Sequence, residues 1–185
     1  MKKLIMIVCL IAGLIASGNC IARAESTGPK VAVFLAGAKS VSKNQEQLDE
    51  LYAKIPLFAE ALHGNLIPVG TTNDTIKDYI LDNKIDHALS TSDLIALGNK
   101  LGADYIVYEQ FYPNSVHGGG AFHTSARVDG DLVIRVFDVK SQKDVYTDQS
   151  QLFNKKREEV RTEIIAICDK TIKVVGSMPY LTAEK

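Results

Sequence analysis

The sequence has no tryptophan, only three cysteines and four histidines, and no apolar run longer than the one from Leu4 to Ala16. A bilayer-spanning helix needs about 20 apolar residues, so no membrane-spanning segment is expected in the mature chain. Charge of one sign is not in excess either, with 21 basic residues against 22 acidic ones. That balance leaves no basic footprint for nucleic acid and no basic face for anionic lipid. No serine stands in a Gly-x-Ser-x-Gly elbow. The Gly118-Gly119-Gly120 run is followed by neither Lys-Ser nor Lys-Thr and joins two strands. No helix N-terminus is therefore aimed at an anion there, and a phosphate cradle is excluded. Internal repeats, charge blocks and low-complexity tracts are also missing.

What is present begins with an export signal. Lys2 and Lys3 precede the apolar run, Ser17 to Asn19 break it, and Ala22-Arg23-Ala24 is a small-x-small cleavage site before Glu25. A lipoprotein signal on Cys20 is the rival, but it wants a small residue before the cysteine, where Asn19 stands. The expectation is a cleaved secretory signal, 1–24, and a single α/β domain, 25–185, in the periplasm or cell envelope. Cleavage removes three of the 21 basic residues and none of the 22 acidic ones, for a mature net charge of −4. Cys9 and Cys20 leave as well, so an exported domain with Cys168 alone has no internal disulfide and is held by packing. Cys168 lies four residues from both Ile164 and Ile172, on the buried stripe of a helix. It is expected to be core rather than a catalytic thiol.

The organising stretch is Ser92 to Val107. Leu94, Leu97 and Leu101 form one helical stripe, Gly102 suits a left-handed C-terminal cap, and Tyr105-Ile106-Val107-Tyr108 reads as a strand. Asp104 is expected to cap the turn after Gly102. Upstream, Lys30 to Leu35 is a near-continuous apolar run, as in a central strand covered on both faces. Ser42 to Gln45 matches a capping box. The helix after it carries Leu48, Leu51, Ile55, Phe58 and Leu62, an outer Glu50–Lys54 pair, and a kink near Tyr52 imposed by Pro56. Asn65 to Val69 is a short strand that Pro68 places at an edge. Residues 71–74 form a polar turn, Ile76, Tyr79 and Ile80 a short helix, and residues 84–90 a loop with His87 at the surface.

After Val107 the strand pattern runs to Tyr112 and breaks from Pro113 to Ser125. It returns at Asp131 to Asp138, with Leu132, Ile134 and Val136 on one face and Val133, Arg135 and Phe137 on the other. A turn at 141–143 leads to a third strand, Asp144 to Gln149, completing an antiparallel meander. The last helix, Lys155 to Val175, has Val160, Ile164, Cys168, Ile172 and Val175 on one stripe. The order β-α-β-α-α-β-β-β-α suits a mixed sheet with helices on both faces, in the α/β (α+β) class.

Two segments carry a resemblance. Ala96 to Val107 and Val133 to Val145 are similar to the signature of the TolB amino-terminal domain, and resemble CsgG-type envelope proteins and the FlgT middle domain. The resemblance implies an anticodon-binding-like fold, a three-layer arrangement with a five-stranded mixed sheet. It also implies an envelope accessory protein that works by protein–protein contact without catalysis or cofactor. The sequence departs from the pattern at Tyr108-Glu109 after the strand, and at Gln142, where the turn usually has glycine. Residues 112–130 are too short and polar for the long hairpins of a CsgG-type pore.

Tyr108, Phe111 and Tyr112 lie at the base of the glycine-rich hairpin, and are the candidate contact residues for a cell-envelope partner. The hairpin from Tyr112 to Gly130 is expected to be the most mobile part of the mature domain after the termini. The competing reading is a periplasmic metal- or small-ligand-binding protein. It would use His117 and His123, with Asp129 or Asp131, in the 112–130 loop. Zinc sites usually show tighter pairs and more ligands, so a polar hairpin is favoured. The sequence names neither a specific partner nor an oligomeric state.

Overall fold

A computed structural model describes residues 28–118 and 126–179. The expected signal peptide and His123 lie outside them. Eleven elements follow in chain order: β1 (Lys30–Leu35), α1 (Ala38–Val41), α2 (Gln45–Tyr52), α3 (Ile55–Ala61), β2 (Asn65–Leu66), α4 (Val69–Asp82), α5 (Thr91–Leu101), β3 (Tyr105–His117), β4 (Arg127–Asp138), β5 (Lys143–Lys156) and α6 (Arg157–Gly176). The strands form one mixed sheet in the order β2-β1-β3-β4-β5. β1 runs parallel to β2 and β3, and the β3–β4 and β4–β5 pairs are antiparallel.

Alternation along β1 explains the three layers. Val31, Val33 and Leu35 point into a core built with α1, α2, α3 and α6, through Val41, Leu51, Phe58, Ile164 and Cys168. Ala32 and Phe34 point the other way, onto Ile76 of α4 and Leu94 and Leu97 of α5. An apolar run with no polar alternation is what a strand buried on both faces requires. β4 divides in the same manner, with Leu132, Ile134 and Val136 in the first core and Phe137 in the second.

α5 forms where its stripe and caps agree. The Ser90 side chain accepts from the Asp93 amide at 3.2 Å, and the Asp93 carboxylate accepts from the Ser90 amide at 2.8 Å. Gly102 ends the helix at φ 62°, a left-handed conformation that costs glycine little. Leu94 and Leu97 are buried, and Leu101, at the helix end, is half-buried against the same core.

Several local expectations are revised. The helix from Ser42 is two helices: Asn44, not Ser42, caps α2 by accepting from the Gln47 amide at 3.0 Å. Ser42 instead donates back to the Ala38 carbonyl at 2.7 Å. Pro56 starts α3 rather than kinking a continuous helix, since the first turn needs no amide from it. Lys54 pairs with Asp169 at 2.6 Å and Glu50 with Arg161, so both charges bridge to α6 instead of to each other. β2 covers only Asn65–Leu66, at the expected edge, and the polar stretch 71–74 is helical, because α4 already begins at Val69. Asp104 does not make the expected cap on the turn after Gly102 but bonds across to β1. Its carboxylate accepts from the Lys30 amide at 2.7 Å and its own amide donates to the Lys30 carbonyl at 2.8 Å, tying β3 to the start of β1.

The largest difference lies in the meander. β3 continues to His117 and β4 starts at Arg127, so the expected break at 113–125 is strand over residues 113–117, and its residues 119–125 lie outside the described ones. The ladder steps over an irregularity between Pro113 and Ser115. β5 reaches Lys156, seven residues past the expected end at Gln149. Gln142 holds the β4–β5 turn at φ 57°, the conformation for which glycine is usual, while Asp138 accepts from the Lys140 and Ser141 amides at 2.9 and 3.0 Å.

Candidate functional site

The three long strands make a ribbon with unequal cover. α6 packs along one face of it, whereas α4 and α5 cover the other face only over β1, the start of β3 and the end of β4. Arg135 marks the limit of that second layer. Its guanidinium donates to the Leu89 carbonyl at 3.0 Å, to Thr91 Oγ1 at 3.2 Å and to the Asp144 carboxylate at 3.0 Å, and it lies over the Phe137 ring. Beyond it Thr147, Gln149, Gln151 and Phe153 of β5 face solvent.

The three candidate contact aromatics do not form one patch. Tyr108 is 3% exposed, stacked on Phe34 at 6.0 Å beneath the second helix layer. Burial pushes its phenol far above the ordinary range. This burial corrects the expectation that Tyr108 offers its ring to a partner. Phe111 turns to the opposite face and is half-buried against the first core. Tyr112 shares the open face with Gln110, to whose side-chain Oε1 its hydroxyl donates, and its hydroxyl lies 3.3 Å from the Tyr108 hydroxyl. The exposed large apolar side chains of the ribbon are others: Val116 at 63% and Phe153 at 67%. Sequence reasoning missed both. Phe153 was past the expected end of β5, and Val116 was inside the expected break.

Near the ribbon's outer end stand a serine, a histidine and an aspartate. Ser115 Oγ lies 3.0 Å from His117 Nε2 and donates to Asp129 Oδ2 at 2.9 Å. His117 Nε2 meets the same Asp129 oxygen at 2.7 Å. A relay needs one imidazole nitrogen on the serine and the other on the aspartate. Here a single nitrogen serves both, and the serine's proton is already directed at the carboxylate. The arrangement is not that of an activated nucleophile. The other Asp129 oxygen accepts from the Asn154 amide at 2.6 Å, so this carboxylate stitches all three strands. His117 and its other hydrogen-bond donors hold the Asp129 carboxyl down at about 2.

Asp131 is occupied by the Asn114 amide at 3.0 Å. Among the described residues, no group of three His, Cys, Asp or Glu is arranged to hold a metal. Cys168 is buried in the first core, and burial raises its thiol far above the ordinary range. Asn44, Gln47, Glu50 and Arg161 line an open polar depression, and Glu50 and Arg161 pair with each other there. Among the described residues, no helix is long and apolar enough to cross a membrane.

One more group was not foreseen. Glu109, in the middle of β3, is fully buried. Its Oε2 accepts from the Gly37 amide at 3.2 Å, while Oε1 has no hydrogen-bond partner.

No family model matches the chain, and no curated protein sequence matches it. Among solved structures it is similar to the LpoB C-terminal domain from Salmonella enterica, at 14% identity and a TM-score of 0.35 over 77% of this chain and 92% of that one. It is also similar to lipoprotein GNA1162 from Neisseria meningitidis, at 11% identity and a TM-score of 0.40 over 78% and 98%. A third is the PelC dodecamer from Paraburkholderia phytofirmans, at 10% identity and a TM-score of 0.34 over 78% and 86%.

Proposed function

We propose that the chain is an exported, non-catalytic protein of the cell envelope that acts as a protein–protein interaction or assembly module. The observation that carries this reading is the outer half of the ribbon. Two large apolar side chains, Val116 and Phe153, are exposed there, on strands held in register by backbone pairing and by Asp129. Rigid exposed apolar side chains on a sheet supply contact area at little entropic cost. Tyr112 and Phe111, half-buried at the base, extend the surface on opposite faces.

Export from residue 25 rests on the lysine-initiated apolar run and the Ala22-Arg23-Ala24 site, and the envelope setting on the TolB-like segments. The serine–histidine–aspartate geometry supports a role without catalysis, because serine and aspartate share one imidazole nitrogen and no carboxylate orients the ring from the other.

The test is affinity capture from envelope extracts with the mature chain and with a Val116→Ser, Phe153→Ser variant whose circular dichroism matches it. Loss of one or more captured proteins is expected. A folded variant that keeps every partner would overturn the reading. Intact mass of the exported form is expected to start at Glu25, and a diacylglyceryl adduct on Cys20 would refute that processing.

A further inference from the structure

We infer that the outer edge of β5 pairs with the same edge of a second copy of this chain, antiparallel about Gln149. Among the described residues β5 ends the sheet, so one row of its amides and carbonyls meets no strand. Such an edge is a template for another chain unless it is short, bulged or charged. β5 is guarded at its ends only. The ladder to β4 is irregular at Val145 and again around Phe153 and Asn154, and lysines stand at 143, 155 and 156. Between them Tyr146 to Leu152 is regular, and its one charge, Asp148, is bound to Lys170 at 2.7 Å and to the Tyr146 hydroxyl at 3.2 Å.

The register follows from the two faces. Opposed residues of an antiparallel pair lie on the same face, so a twofold must pass through a residue rather than between two. Centring it on Gln149 sets Tyr146 opposite Leu152, Asp148 opposite Ser150, and Thr147 opposite Gln151. Apolar meets apolar, and the one acid meets a hydroxyl that can donate to it. Centring on Ser150 would set Asp148 against Leu152, and centring on Asp148 would set Asp144 against Leu152. Only the Gln149 register opposes like with like across the regular stretch. Phe153, 67% exposed beside this edge, then gains a neighbouring chain. The variants below leave Val116 and Phe153 unchanged, so they test the pairing apart from the contacts of the ribbon's outer half.

Two measurements on the mature chain test it. Sedimentation across a wide concentration range is expected to show a monomer–dimer equilibrium. A Thr147→Glu, Gln151→Glu variant opposes like charges twice and is expected to raise the dimer Kd about tenfold. Thr147→Glu with Gln151→Lys opposes unlike charges and is expected to dimerise at least as well as the native chain. In addition, Gln149→Cys places two thiols across the twofold within disulfide reach. Mild oxidation is expected to give a covalent dimer, and a Ser141→Cys control in the turn is not. A chain that stays monomeric, a Glu–Glu variant that associates as tightly as the native chain, or a Gln149→Cys chain that cross-links no faster than the control would overturn the pairing.

Discussion

The Gly37 amide donates to the Glu109 carboxyl at 3.2 Å, and this is the one hydrogen bond given to a side chain that is fully buried. A β-carbon on Gly37 would lie 2.6 Å from Glu109 Oε1 and 3.1 Å from Ile164. The contact therefore joins the β1–α1 turn, β3 and α6 at one point. Burial in this apolar setting pushes the Glu109 carboxyl up to about 8, with the Gly37 hydrogen bond opposing the rise.

A pH dependence of stability follows from that shift. The unfolded chain releases the Glu109 proton near 4.5, whereas the folded chain keeps it up to about 8. Between those values the native state holds more protons, so its stability falls as pH rises through the interval. Glu109→Gln removes the titration. Urea unfolding at pH 5 and pH 8 is expected to show the native chain losing stability relative to the variant, by on the order of a few kcal/mol. Parallel pH profiles would mean the carboxyl is not held neutral.

At the ribbon's outer end the sign is opposite. Asp129 is held ionised down to about 2, so its bonds to His117, Ser115 and Asn154 persist through neutral pH and are lost only as pH falls toward that value. Asp129→Asn takes the charge from these bonds. Amide exchange at Asn154 and across residues 115–117 is expected to accelerate, with the amides of β1 unchanged. Unchanged protection at Asn154 would contradict its bond to Asp129.

α5 offers a graded test of packing. Leu97 is fully buried in the second core, and Leu97→Ala is expected to cost about 2–5 kcal/mol in chemical denaturation. Leu101, half-buried at the helix end, is expected to cost clearly less when truncated. Equal losses would place the C-terminal turn of α5 deeper than it lies.

α5 and β1 were legible in the sequence because each advertises one strong periodicity. Leu94 and Leu97 recur at helical spacing ahead of Gly102, and the Val31–Leu35 run leaves no polar face. The ribbon was not legible past Tyr112. Its outer rungs carry Pro113, Asn114, Ser115, Asp129 and Gly130, which show no apolar alternation; backbone pairing and the Asp129 hydrogen bonds hold them instead. The same blindness hid the candidate contact surface, since Val116 and Phe153 fell outside the expected strands. Tyr108 was misplaced for a different reason. An aromatic at a strand's end looks exposed, but β3 has nine more residues beyond it and α5 lies over its ring. Glu109 stood out only as an acid within a strand, and nothing local signals that Gly37, 72 residues earlier, meets it.

The most direct measurement is photo-crosslinking of the exported chain in its native envelope, with the crosslinker at position 153 or, as control, at the exposed Lys77 on α4. The account predicts covalent adducts to envelope proteins from position 153 that are lost with Val116→Ser and are missing from position 77. Adducts from position 77 alone, or none from position 153, would contradict the ribbon as the contact surface.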